Sequence, residues 1–164
     1  MPLKTADEYI DSIRQLKRTI YFMGERVESS VDHPMMRPSL NAAALTYELA
    51  HDPQYQKLLT AKSTLTRETI NRFTHIVHGK EDLTKKVKML RLMGQKTGVC
   101  FQRCAGLDAM NAVYSGTYDI DQKCGTQYHQ RFRDFLTKVQ RDDMVVDAAM
   151  TDTKGDRSLP PGKQ

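Results

Sequence analysis

Leu83-Thr84-Lys85-Lys86-Val87-Lys88-Met89-Leu90-Arg91-Leu92-Met93-Gly94-Gln95-Lys96-Thr97-Gly98-Val99-Cys100-Phe101-Gln102-Arg103-Cys104 is the stretch that decides how this chain is read. Its apolar and small positions 83, 87, 90, 94, 97 and 101 recur near the helical period. A second line, Met89, Met93, Cys100, Cys104, Leu107 and Asn111, lies beside the first. The pattern predicts one long helix from Lys80 to about Ser115. On such a helix the C-x3-C spacing puts the Cys100 and Cys104 sulfurs on one face, with Cβ atoms ~6 Å apart. Two thiolates so placed can reach two irons of one cluster or share one metal. Two ligands are not four, so a metal site here needs ligands from elsewhere. The plainer reading makes each cysteine a small buried hydrophobe. Gly94, Gly98 and Gly106 each cost a helix up to about 1 kcal/mol, and such glycines mark close approach of another helix or of a ligand.

Outward from this stretch the chain stays helical. Thr5-Ala6-Asp7-Glu8 reads as a capping box, and Tyr9, Ile13, Leu16, Ile20, Met23 and Val27 carry the helix to about Glu28. His33-Pro34 and Arg37-Pro38 break it. Ser39-Leu40-Asn41 restarts a helix through Leu49, and Asp52-Pro53 opens another with Tyr55, Leu58 and Leu59. Thr66-Arg67-Glu68 begins a short helix with Ile70, Phe73, Ile76 and Val77, stopped by Gly79. The last helix spans about Thr117–Arg141, with Gly125 as an interruption. Met144–Met150 is short and apolar like a strand, and a strand is not stable alone. The reading is mainly α: a helical domain over residues 1–142, then the start of a β domain at 143–164. A helical domain followed by one orphan strand looks like the front of a longer protein.

Composition sets the bounds. A chain of 164 residues, 27% charged and 39% hydrophobic, suits one soluble globular domain. No apolar run is long enough to span a bilayer, and Met1-Pro2-Leu3-Lys4-Thr5 opens no secretory signal, so a cytoplasmic location with no membrane partner is expected. Three cysteines are too few, and odd in number, for a disulfide framework. Nine methionines and no tryptophan predict an aliphatic, Met-filled core. Lys80–Arg103 holds seven Lys/Arg and two acids, 7 − 2 = +5, which equals the net charge of the whole chain. Such a stretch serves an anionic ligand, whether a nucleotide, coenzyme A or nucleic acid, or is a solvated helix face.

Several stretches together carry a resemblance. They are His33-Pro34 with Arg37-Pro38, Thr46-Tyr47-Glu48-Leu49-Ala50, Ile70-Asn71-Arg72-Phe73 and Lys85-Lys86-Val87-Lys88-Met89. Further along come Cys100-Phe101-Gln102-Arg103-Cys104, Asp108-Ala109-Met110-Asn111-Ala112, and Met150-Thr151-Asp152 with Lys154-Gly155-Asp156-Arg157. Jointly they resemble the 4-hydroxyphenylacetate 3-hydroxylase flavoprotein family. The resemblance covers essentially the whole chain but only about the first third of such an enzyme.

The resemblance implies the helical N-terminal domain of an acyl-CoA dehydrogenase-like fold, FAD as cofactor and, in the acyl-CoA-processing branch, a [4Fe-4S] cluster held by three Cys and one His. Cys100 and Cys104 match two of those cysteines. The remaining Cys and the His belong to a later segment, so His33, His51, His75, His78 and His129 are poor candidates for the ligand. Cys124 matches no ligand position and reads as packing. Gln102 matches a glutamine that faces the active site, where a neutral amide can orient a thioester or hydroxyl. Met150, Thr151, Asp152, Gly155, Asp156 and Arg157 match the first flavin-contacting segment. Gly155 there permits close backbone approach, and Arg157 can meet an anionic group.

The activity so implied is a reversible dehydration of 4-hydroxybutyryl-CoA to crotonyl-CoA by a radical mechanism. The β C–H bond becomes acidic only after an enolate at the α-carbon loses one electron to the flavin. The cluster serves as Lewis acid toward the hydroxyl. Movement of the double bond in vinylacetyl-CoA uses the same site. The partners implied are an acyl-CoA substrate and a homotetramer, with no nucleic acid and no membrane, and 164 residues alone are expected to be inactive. One alternative is a flavin-dependent aromatic hydroxylase of the same family, which needs no cluster; the cysteine pair argues against it. Another is a non-catalytic helical module binding an anionic partner. That reading predicts one exposed basic patch, with the cysteines buried in apolar packing.

Overall fold

The computed structural model describes residues 3–148 and 155–163. Helix α1, Ala6–Arg14, starts as its sequence dictates: Glu8 N donates to Thr5 Oγ1 at 3.2 Å and Thr5 N to the Glu8 carboxylate at 2.8 Å. It does not continue to Glu28. Ile20–Phe22 (β1) and Glu25–Val27 (β2) form an antiparallel hairpin, with Ile20 opposite Val27. Met23 (φ 52°) and Gly24 (φ 87°) make the two-residue left-handed turn whose twist suits paired strands. Ile, Tyr and Phe favour the strand, and the helical spacing of 16, 20 and 23 is coincidental.

Helix α2, Arg37–His51, buries Ala42, Ala43, Thr46, Tyr47, Leu49 and Ala50. The short α3, Gln56–Leu59, leads into β3, Thr60–Lys62, which pairs with β4, Thr69–Asn71. The helix expected over 66–77 is therefore a strand followed by a tight 3-10 turn, Arg72–Thr74. Two side chains explain the change. Asn71 Oδ1 accepts from Phe73 N at 3.2 Å, and Arg72 donates to the carbonyls of Leu58 (2.7 Å) and Thr60 (2.5 Å). The second set of bonds reaches another segment, so periodicity does not see it.

The single helix expected over 80–115 is two helices. Helix α4, Lys80–Thr97, ends at Gly98, which is left-handed at φ 62° and donates its N–H to Gly94 O at 3.1 Å. Helix α5, Cys104–Cys124, begins after residues 98–103 and ends at Gly125, φ 63°. Helix α6, Tyr128–Arg141, is capped by Asp121, whose carboxylate accepts from Tyr128 N and His129 N at 2.9 Å each. Of the two lines on α4, the core takes Met89 and Met93, while Leu83 and Val87 are exposed. Met89 and Met93 pack with Leu49, Leu59, Phe73 and Leu107 in the Met-filled core that composition predicts. A second cluster stacks Tyr9 on Tyr47, ring centres 4.9 Å apart, and a third joins Ile76, Met110, Leu136 and Val139.

Residues 144–148 are not a strand. Among the described residues no strand lies beside them to take their backbone groups, and they settle on the helices instead. Met144 N donates to Val139 O at 3.0 Å, Val145 packs near Tyr9 and Tyr47, and Val146 packs near Met110. The last two residues of the expected strand, 149 and 150, lie outside the described residues. Gly106 explains how closely this segment approaches: a Cβ there would stand 1.9 Å from the Val146 carbonyl oxygen. The close approach expected of Gly106 is thus made by backbone. Among the described residues no helix is long and apolar enough to cross a membrane.

Candidate functional site

The site is the junction between α4 and α5. Gly98 turns the chain out of α4, Gln102 takes a second left-handed conformation (φ 59°), and Arg103 is the N-cap of α5. Between them the side chains alternate. Phe101 and Arg103 go inward and are buried, whereas Cys100 is exposed and Gln102 and Cys104 are half-buried. Cys100 therefore faces outward, while Cys104 packs partly against the core behind the loop.

The two cysteines do not lie on one helix, as the period suggests. Cys100 is in the loop and Cys104 is the first residue of α5. Their thiols nevertheless influence each other. The Cys104 thiol is raised above the ordinary range by burial first, and by the charge and hydrogen bond of the Cys100 thiol; the backbone N–H groups of Ala105 and Cys104 oppose the rise. Those N–H groups belong to a helix N-terminus, which favours a thiolate. Neither cysteine is the small buried hydrophobe of the plainer reading. Cys124 is exposed at the far end of α5, twenty residues or ~30 Å of helix away, and is not packing either. Among the described residues no three His, Cys, Asp or Glu side chains converge as a metal-binding set.

Arg103 is the residue that sequence reasoning places wrongly. Counted with the surface charges, it is 1% exposed. Its guanidinium lies between the rings of Tyr47 (4.6 Å) and Phe73 (4.9 Å), and Nη1 donates to Thr46 Oγ1 at 2.8 Å. Nη2 donates to Met144 O at 3.4 Å and stands 3.8 Å from the buried Asp143 carboxylate. Burial raises the Asp143 carboxyl, with Arg103 pulling against it. Asp143 is itself left-handed, φ 41°, its carbonyl accepting from Tyr47 Oη at 2.9 Å. Tyr47, Phe73 and Asp143 are far apart in sequence, so no local pattern announces the arrangement.

Three of the other basic residues have partners close by. Lys85 pairs with Glu81 at 2.5 Å, Lys86 with Asp108, and Lys96 sits over the Tyr55 ring at 5.0 Å. With Arg103 buried and Cys100 exposed, the burial of both cysteines that the anion-binding module expects is not met. His75 is a buried structural residue, with Nε2 3.2 Å from Asp82; burial lowers its pKa and Asp82 opposes the shift. Of the expected flavin-contacting residues, Met150, Thr151 and Asp152 lie outside the described residues, while Gly155, Asp156 and Arg157 are exposed. Asp156 Oδ1 accepts from Ser158 N (2.9 Å) and Oγ (2.7 Å), closing a local turn.

Residues 5–164 match the family described as 4-hydroxyphenylacetate 3-hydroxylase N terminal, and the chain belongs to that family. Within it, the chain is 57% identical over 162 residues to the 4-hydroxybutyryl-CoA dehydratase/vinylacetyl-CoA-Delta-isomerase of Clostridium aminobutyricum, covering 99% of this chain and 33% of that protein. It is 25% identical to the 4-hydroxyphenylacetate 3-monooxygenase oxygenase component of Thermus thermophilus, over 98% of this chain and 32% of the relative. Among solved structures, an oxygen-tolerant archaeal 4-hydroxybutyryl-CoA dehydratase from N. maritimus matches with a TM-score of 0.88 at 48% identity, covering 99% of this chain and 32% of the other. A 4-hydroxyphenylacetate 3-monooxygenase oxygenase component, complexed with FAD and 4-hydroxyphenylacetate, matches with a TM-score of 0.75 at 25% identity, covering 98% and 33%. The chain spans about a third of the length of these relatives.

Proposed function

We propose that this chain is the amino-terminal third of a flavin- and [4Fe-4S]-dependent dehydratase that converts 4-hydroxybutyryl-CoA to crotonyl-CoA and isomerises vinylacetyl-CoA. One observation carries the reading: the α4–α5 loop brings an exposed Cys100 and a half-buried Cys104 into electrostatic reach of each other, with an amide between them in sequence, in a chain 57% identical to a dehydratase of that name. The donor set fits half a cluster. Cys100 is exposed and Cys104 partly so, and the helix N-terminus beneath Cys104 suits a thiolate. Cys100 and Cys104 hold two irons in this reading, and the remaining Cys and His come from the rest of the protein. The bound cofactors supply one-electron chemistry at the flavin and a Lewis-acidic iron for the departing hydroxyl, in a radical mechanism.

The chain's own residues bind and orient. Gln102, held left-handed between two buried neighbours, presents a neutral amide to the thioester or hydroxyl without adding charge. Met150, Thr151, Asp152, Gly155, Asp156 and Arg157 form the first flavin-contacting segment, Arg157 meeting an anionic group. Residues 1–142 are the helical domain of an acyl-CoA dehydrogenase-like fold and 143–164 the approach to its β domain. The whole enzyme is a cytoplasmic homotetramer.

The similarity to 4-hydroxyphenylacetate 3-monooxygenase supports a second reading, a flavin-dependent aromatic hydroxylase. Purification of the full-length protein without oxygen separates the two. The dehydratase retains stoichiometric iron and flavin and forms crotonyl-CoA; a protein with flavin, no iron and activity only on a phenol overturns the proposal.

A further inference from the structure

We infer that Arg103 is a positioning residue: its buried guanidinium ties the loop bearing Cys100, Gln102 and Cys104 to the Asp143–Val146 segment. It thereby sets the spacing between the thiols and residues 143–146. The inference rests on the reading of Cys100 and Cys104 as cluster ligands and of 150–157 as the flavin segment.

Arg103 sits one residue from both Gln102 and Cys104, so its placement fixes theirs. A residue needed only to fill this core could be apolar, since a buried charge is costly. This one is instead held from three directions: the Tyr47 and Phe73 rings, Thr46 Oγ1 on α2, and the Met144 carbonyl with the Asp143 carboxylate. The pair is not optimised for stability. Arg103 Nε and Asp143 Oδ1 are both buried without a hydrogen-bond partner, and Asp143 adopts a left-handed backbone. What the arrangement does achieve is geometric. The same segment is bolted to α5 a second time at Gly106, where the Val146 carbonyl occupies the space of a Cβ, and to α2 by Tyr47 Oη. Both attachments to α5 fall within its first turn, next to Cys104. The loop and the segment are thus parts of one clamp centred on Arg103.

The test uses Arg103→Met, Arg103→Lys and Asp143→Asn in the full-length protein, with two readouts. The first needs no cofactor. In metal-free protein, diamide oxidises the Cys100 and Cys104 thiols to a disulfide and is itself reduced to the hydrazine; peptide mass spectrometry gives the rate. A held pair reacts fast, and displacement by about 1 Å slows such a reaction by up to ~100-fold. Arg103→Met should slow it by about tenfold or more, with Arg103→Lys and Asp143→Asn in between, at unchanged far-ultraviolet circular dichroism. The second readout is iron per flavin and the kcat against KM split in the loaded enzyme. Arg103→Met should lower iron per flavin and kcat, leave KM for the acyl-CoA nearly unchanged, and be partly rescued by Arg103→Lys. Folded variants with wild-type disulfide rates overturn the inference whatever the cofactor content. If Arg103→Met does not fold, Asp143→Asn with a wild-type rate overturns it. Slowed disulfide formation in the variants, together with a wild-type protein that binds no iron, upholds the clamp and sinks the cluster reading instead.

Discussion

Gly98 and Gly125 end their helices in the same way, at φ 62° and 63°; the first breaks a helix that periodicity runs straight through, and the second falls where the sequence already marks an interruption. The chain beyond each glycine behaves differently. After Gly125 it makes a short polar turn, with Asp121 capping α6, and the nearby Cys124 stands exposed, with neither of the other cysteines beside it. After Gly98 it buries Phe101 and Arg103, while Cys100 is exposed and Gln102 and Cys104 are half-buried. The glycine supplies only the break. The buried residues behind the loop make it a site.

The largest effect expected from this contrast is chemical. In the full-length protein Cys100→Ala or Cys104→Ala should abolish bound iron and crotonyl-CoA formation, because thiolates are the main hold on such a cluster. Cys124→Ser, at the other end of the same helix, should leave both at wild-type levels. Iron and activity measured together decide the point, and an iron-replete Cys100→Ala enzyme with normal turnover breaks the assignment.

Two glycines of α5 sharpen the comparison next. A Cβ at Gly106 meets the Val146 carbonyl at 1.9 Å, whereas one at Gly116 meets nothing within 4 Å. Gly106→Ala should lower the unfolding free energy by about 2–3 kcal/mol through overpacking. Gly116→Ala should raise it by up to about 1 kcal/mol through helix propensity. Urea unfolding monitored by circular dichroism gives both, and equal values would remove the close approach from the account.

A smaller effect separates the two breaks themselves. Gly98→Ala and Gly125→Ala each force an L side chain into the left-handed region, at a cost of about 1–2 kcal/mol. Their stability losses should match. Only Gly98→Ala should also slow disulfide formation between Cys100 and Cys104. The least effect belongs to Asp121→Ala, which removes the cap from α6. It should lower the melting temperature slightly and leave the thiols untouched. A change in thiol rate there would mean that the two junctions are coupled.

Much of this is legible in the chain. The capping box at Thr5 and the methionines of the core come from local chemistry and composition, whereas Arg37-Pro38, expected as a break, is the first turn of α2. The Cys-x3-Cys pair is legible as a pair, and Gly98 and Gly106 stand out as costly in a helix. The period nevertheless carries the helix across Gly98, because a helical count weighs apolar spacing above one left-handed residue. The same count makes helices of β1–β2 and β4. There Met23-Gly24 and the long-range bonds of Arg72 decide otherwise.

The sequence by itself determined the helical class, the family, and the two sulfurs with an amide between them, since these depend on neighbours in the chain. Only the tertiary structure decided that Arg103 is inside. Its partners Thr46, Tyr47, Phe73 and Asp143 come from three other segments and have no common period with it. A charge is read as exposed until something distant pairs with it, because burial without partners is too costly to expect. That burial became visible only when the distant residues were brought together.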